Sequence, residues 1–176
     1  YIIFTLIRWV HTLSQLGSLG DALAKIEKVA KASLAIWRFQ PNLGANKQPP
    51  KTDDQLRLSI YAGQTGYLFD LDLVSLQSIA EQYELHIHIA ERPGKFLSPS
   101  STILQVFAPQ PLDDDAKTEL HQKLTSVITI DKTRSYNQDP RFGLLVMSEV
   151  GQRAMSAAVN DPATAIAVLN SITHIL

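Results

Sequence analysis

Leu85–Ala108 reads LHIHIAERPGKFLSPSSTILQVFA, and its two ends decide what kind of fold this chain adopts. Leu85 to Ala90 alternates apolar and polar residues strictly, the period-two pattern of a strand with one face on a core. Pro93-Gly94 then supplies a turn, because proline presets φ and glycine accepts a positive one. Thr102 to Ala108, rich in β-branched and aromatic residues, reads as a further strand.

Working outward, the pattern switches from period two to period 3.6 on both sides. Upstream, Asp72 precedes LVSLQSIAEQY, where Leu73, Leu76, Ile79, Ala80 and Tyr83 fall on one helical face, so a helix capped by the Asp72 carboxylate is predicted. Before it, Leu56–Ala62 and Tyr67–Asp70 read as two strands joined by Gly63-Gln64-Thr65-Gly66, a predicted hairpin. Downstream, Asp113–Asp115 open a helix running to about Leu124, since carboxylates there accept free backbone N–H groups. Ser126–Ile130 reads as another short strand. From Asp139 onward two helices follow, one to about Ser156 and one from Pro162 to the end.

This order of elements predicts an α+β fold: a small mixed sheet of short strands with covering helices, preceded by an N-terminal helical pair and ending in a two-helix unit. The N-terminal pair is read from apolar residues at helical spacing over Tyr1 to about Gln15, and again over Asp21 to about Trp37, interrupted by Gly17 and Gly20. Trp9 and Tyr1 are the amphipathic types found where a helix leaves a bilayer. FQPNLGANKQPPKTDD, Phe39 to Asp54, is proline-rich and poor in anything to bury, and reads as a linker. The expected organisation is therefore a helical segment over 1–38, a linker over 39–55 and an α+β domain over 56–176.

Charge and composition narrow the function classes. Sixteen Lys+Arg against seventeen Asp+Glu leave a net charge of −1, so bulk electrostatics favours neither nucleic acid nor an anionic membrane. With no cysteine there is no disulfide frame, thiolate metal site or thiol nucleophile, which suits a reducing compartment. No apolar run reaches the roughly eighteen residues of a membrane-spanning helix. The opening YIIFTLIRWV lacks the charged leader and cleavage site of a signal peptide, and the chain is expected to be a soluble fragment of something longer.

Few residues carry recognisable chemistry. His86 and His88 share one face of a predicted strand, a spacing that metal sites use, but no further ligands are in place and the pair reads as a polar face. No serine lies in a Gly-x-Ser-x-Gly elbow, and Gly63–Gly66 is too short for a phosphate-binding loop. No metal or cofactor is expected. NQDPRFG at Asn137–Gly143 and VNDPATA at Val159–Ala165 each place an amide and an acid before a proline. In both, the aspartate suits a helix N-cap and the proline the first helical position, where its missing N–H costs nothing. Capping accounts for Asp139 and Asp161 but leaves Arg134, Gln138, Asn160 and Thr164 over.

At these residues RSYNQDPRFGLLVMSEVGQRAMSAAVNDPATAIAVLNSI, Arg134 to Ile172, resembles the signature of the bacterial predicted membrane proteins called domain of unknown function 2254. Arg134, Gln138, Asp139, Phe142, Gly143, Arg153, Ala154, Ser156, Asn160, Asp161, Pro162, Thr164 and Ala165 match it. Met155 and Ala157-Ala158 depart from the leucine and Pro-Gly usual there. Gly66-Tyr67 with Leu71-Asp72, and Arg92-Pro93-Gly94 with Phe96, also resemble the family pattern. The opening resembles the segment after the last membrane helix.

The resemblance implies an N-terminal membrane region, in a bacterial inner membrane, followed by a domain on the cytoplasmic side. It brings no activity, ligand or catalytic residue with it. The expected function is assembly, regulation or ligand sensing. Expected partners are the protein's own transmembrane region, further copies of the chain and an unidentified small ligand, with no nucleic acid. Candidate ligand-binding or signature residues are Arg134, Gln138, Asp139, Asn160, Asp161 and Thr164. The alternative is a hydrolase using Asp139 or Asp161 with Arg134 holding an anion.

Overall fold

Strand pairing divides the β-structure into two antiparallel three-stranded sheets rather than one. The computed structural model describes residues 1–15, 19–46 and 54–176, with the backbone alone described at 10–15 and 19. The first sheet has the order β1 (Gln55–Tyr61), β5 (Thr102–Ala108), β3 (His86–Ile89), and the second the order β4 (Phe96–Leu97), β2 (Gly66–Leu71), β6 (Ile128–Asp131). Both are decorated by α3 (Leu73–Gln82) and α4 (Asp114–Ser126), so the α+β class stands.

β5 is the central strand of its sheet, and its near-continuous apolar run explains why. Ile103, Leu104 and Val106 are fully buried, which only a strand covered on both faces achieves. His86 pairs with Phe107 and His88 with Gln105 across the β3–β5 ladder, while Leu56 to Tyr61 pair along the other edge. The predicted β1–β2 hairpin does not form. After Tyr61 the chain is held by Ala62 N–H donating to Ser101 O (2.9 Å) and Gly63 N–H to Pro99 O (3.0 Å), and Gly63 at φ +68 turns it into the second sheet. There Tyr67 and Leu68 pair with Asp131 and Ile130.

Contacts group Ile36–Asp139 into one compact unit, the sheet unit. Its core joins Ile60, Leu68, Leu97, Leu104, Leu120 and Leu124 with Leu76 and Ile79 of α3. Local signals set its helices. Asp72 accepts from Ser75 N–H (3.1 Å) to cap α3, and Asp113 accepts from Ala116 N–H (2.7 Å) to cap α4, as the aspartates predict. α4 runs to Ser126, so the strand expected from Ser126 begins at Ile128 instead. Pro41–Gly44 is a short 3-10 turn with Asn42 and Leu43 at φ 63 and 60. Residues 47–53 of the predicted linker lie outside the described residues.

The second compact unit combines Tyr1–Ala35 with Pro140–Leu176. It contains α1 (Ile2–Gln15), most of α2 (Leu19–Phe39), α5 (Phe142–Ala154) and α6 (Pro162–Ile175). Gly20 falls inside α2 rather than before it, and Gly17 lies outside the described residues. The core of this helical unit is Leu23 and Ala30 of α2, Met147 of α5, and Val168 and Ile175 of α6. α5 starts at Phe142, two residues beyond the proline expected to open it.

Candidate functional site

Six residues were singled out by sequence, and the structure distributes them over both units: Arg134, Gln138 and Asp139 in the sheet unit, Asn160, Asp161 and Thr164 in the helical unit. Each group is built from local geometry.

In the sheet unit, β6 ends at Asp131, whose carboxylate accepts from the Thr133 N–H and hydroxyl, both at 2.8 Å. That turn sends the chain into the loop 132–139. Gln138 docks this loop on β2: its Oε1 accepts from Leu71 N–H (3.0 Å) and its Nε2 donates to Leu71 O (2.9 Å). The side-chain amide thus satisfies both backbone groups of one residue, as a neighbouring strand would.

Asp139, the next residue, is 2% exposed and takes Arg134, whose Nε donates to Oδ2 at 2.8 Å and whose Nη2 reaches the same oxygen. A carboxylate removed from water needs such a charged partner. The guanidinium also lies 5.9 Å from the Tyr67 ring centre, within cation–π range. Tyr67 in turn meets Phe96 edge to face at 5.0 Å.

Gly94 completes the cluster. Its φ is +90, and a Cβ built there would lie 2.4 Å from Asp139 Cγ, so only glycine gives the carboxylate room. Gly94 N–H donates to Leu68 O (2.8 Å) and Leu68 N–H to Lys95 O (2.9 Å), tying this turn to β2. Tyr67, Gly94 and Phe96 were not among the predicted site residues. The signal for them was present in Gly66-Tyr67 and Arg92-Pro93-Gly94-x-Phe96, the segments that carry the rest of the family resemblance.

In the helical unit, the turn from α5 to α6 is closed by Asn160 N–H donating to Ser156 O and Asp161 N–H to Ala154 O, both at 2.8 Å. Asn160 sits at φ +44, a left-handed conformation that asparagine adopts more readily than other non-glycine residues. Asp161 caps α6 as predicted: its carboxylate accepts from Thr164 N–H at 3.1 Å and from the Thr164 hydroxyl at 2.5 Å. These bonds, the hydroxyl's first, hold the Asp161 carboxyl below the usual range. Thr164, left over by capping in the sequence, is therefore part of the cap.

His88 is exposed and His86 half-buried. Among the described residues no three His, Cys, Asp or Glu side chains come together as a metal would require. His86 borders a cleft of about 690 Å³ lined by α3, β3 and residues 43–46, among them the apolar Leu76, Leu85 and Ile87 and the polar Gln77 and Glu81. None of the six predicted residues lines it.

Among the described residues no helix is long and apolar enough to cross a membrane. No curated protein and no solved structure matches the chain. The family described as predicted membrane protein (DUF2254) matches residues 1–176, and with its signature residues located in both units the chain belongs to that family.

Proposed function

We propose that the chain is an accessory domain of a bacterial inner-membrane protein, on the cytoplasmic side, where it assembles with copies of itself and regulates the membrane-spanning region of the same protein. One observation carries this reading: the signature side chains are engaged within the fold. Arg134 holds Asp139, Gln138 holds the Leu71 backbone and Asp161 holds Thr164. A hydrolytic site asks for the opposite, a base or nucleophile presented toward a place where substrate can sit. Exposed apolar side chains on α6, Ile166 and Leu169, support an assembly role. The cleft beside His86 is where a regulating small ligand would sit.

The test is to compare Asn160→Ala and Asp161→Ala with the parent chain by thermal unfolding and light scattering. Loss of the cap and an alanine forced to positive φ each cost about 1 kcal/mol, or roughly 2–4 °C in a chain of this size. The expected result is lower melting and a smaller particle. Unchanged melting and unchanged mass in both variants would sink the reading. Metal-dependent phosphatase or esterase turnover abolished by Asp161→Asn would replace it with a hydrolase.

A further inference from the structure

β3 ends its sheet, and the edge it leaves open is regular. It pairs only with β5, and its register from His86 to Ile89 runs without a shift. β1, the other edge of that sheet, is blunted by register shifts at Arg57 and between Ile60 and Tyr61, a common protection of exposed edges. β3 has no bulge, lysine or proline to do the same.

The ladder fixes which backbone groups are left over. Ala90 N–H donates to Ile103 O at 2.9 Å, so these two residues form a hydrogen-bonded pair. The alternation of an antiparallel ladder gives His88 with Gln105, and His86 with Phe107, the same status. The N–H and C=O groups of Ile87 and Ile89 therefore point to the open edge. Among the described residues no hydrogen bond reaches them. Both residues line the cleft of about 690 Å³ beside α3.

That combination specifies the occupant. A donor and an acceptor on each of two residues two apart are matched by another extended chain, whose own N–H and C=O groups repeat at the same spacing. Leu73, Leu76 and Ala80 of α3 give the cleft an apolar lining, which suits apolar side chains at alternate positions. The lining contains one acid, Glu81, and no lysine or arginine, so a basic residue is favoured. Leu43 packs on the core and Arg92 Nη2 donates to Asn42 Oδ1 at 2.6 Å, fixing the stretch that completes the lining at 43–46.

We propose that the cleft takes a short extended peptide segment, apolar at alternate residues and carrying a basic one, as a further strand on β3 held by the backbone of Ile87 and Ile89. The inference rests on the regulatory reading above, in which this cleft holds the regulating ligand, and names the chemical class of that ligand.

The experiment adds a capped pentapeptide, lysine-valine-threonine-valine-lysine, to the whole chain and follows binding and amide hydrogen exchange by NMR. In the free chain the Ile87 and Ile89 amides should exchange faster than those of His86 and His88. Saturating peptide should slow Ile87 and Ile89 by about tenfold or more, as each gains a partner. Two further peptides are N-methylated, one at both valines and one at the threonine and the final lysine. A strand turns alternate N–H groups to opposite sides, so one of them should lose binding by about tenfold or more and the other keep it. Glu81→Lys, at an exposed position, should weaken binding several-fold with unchanged melting. Four results would each overturn the proposal: no binding at millimolar peptide, binding without protection of Ile87 and Ile89, both methylated peptides binding as the parent does, or those two amides already protected in a concentration-dependent dimer. A peptide that fails to pair leaves the melting and mass of Asn160→Ala and Asp161→Ala untouched, so the two readings fail separately.

Discussion

Gly94 and Asp139 illustrate how a residue is set by a neighbour far away in sequence. The carboxylate occupies the space a Cβ on Gly94 would need, and Arg134 holds it there. Gly94→Ala therefore displaces Asp139 from Arg134 and weakens a buried ion pair, a change that costs up to about 3–5 kcal/mol. Asp139→Ala removes the charge together with one partner of Arg134, which is 19% exposed and regains water more easily. We expect Gly94→Ala to be the more damaging of the two, and the double variant to lose less than the sum, because one clash disappears with the carboxylate. Denaturant unfolding of the three variants checks this, and strict additivity would show that the two residues act independently.

At the level of elements, α2 and α5 approach so closely at Ala30 and Gly143 that a Cβ on Gly143 would lie 2.3 Å from Ala30 Cβ and 3.0 Å from its Cα. Gly143→Ala gains up to about 1 kcal/mol of helix propensity, but the Ala30 Cβ is fixed to its backbone and cannot rotate away. Overpacking of this kind costs about 1–3 kcal/mol, so net destabilisation is expected. Gly151, on the same helix, is the control. A Cβ there would meet Val168 Cγ1 at 3.4 Å, an ordinary contact, so Gly151→Ala should be neutral or stabilising. Equal effects of the two substitutions on the denaturation midpoint would contradict this account of α5.

Acid should act on the whole molecule, because the carboxylates that cap helices belong to both units. Hydrogen bonds from Thr164 lower Asp161, and hydrogen bonds from Ser75 lower Asp72. A carboxyl lowered by folding stabilises the protein above its unfolded value of about 4, and that contribution is lost as pH falls through the folded value. Asp70 runs the other way. Burial, then the nearby Asp72 charge, raises its carboxyl, so its ionisation opposes folding and is relieved as pH drops through its folded value. Melting temperature is therefore expected to fall below about pH 4, with the acid limb shallower in Asp161→Asn. Asp70→Asn should raise melting at neutral pH, and a drop there would refute the assignment of Asp70 as a strained carboxylate.

The sequence by itself determined what is local. The caps at Asp72, Asp113 and Asp161, the alternation of β3 and the apolar run of β5 stand where the residues put them, because each depends on neighbours within a few positions. The family was legible too, since its motifs are short and contiguous. Tertiary structure alone decided partners. Period-two alternation says which side of a strand faces the core and nothing about which strand lies beside it, so β1 and β2, adjacent in sequence and apt for a hairpin, went to different sheets. The same holds for the candidate site. Spacing showed Asp139 ahead of a proline, but its pairing with Arg134, the need for glycine at 94 and the docking of Gln138 on Leu71 arise from β2, the turn at Gly94 and the loop after β6 meeting in space. Those contacts have no period and no fixed separation along the chain, and folding is what sets them.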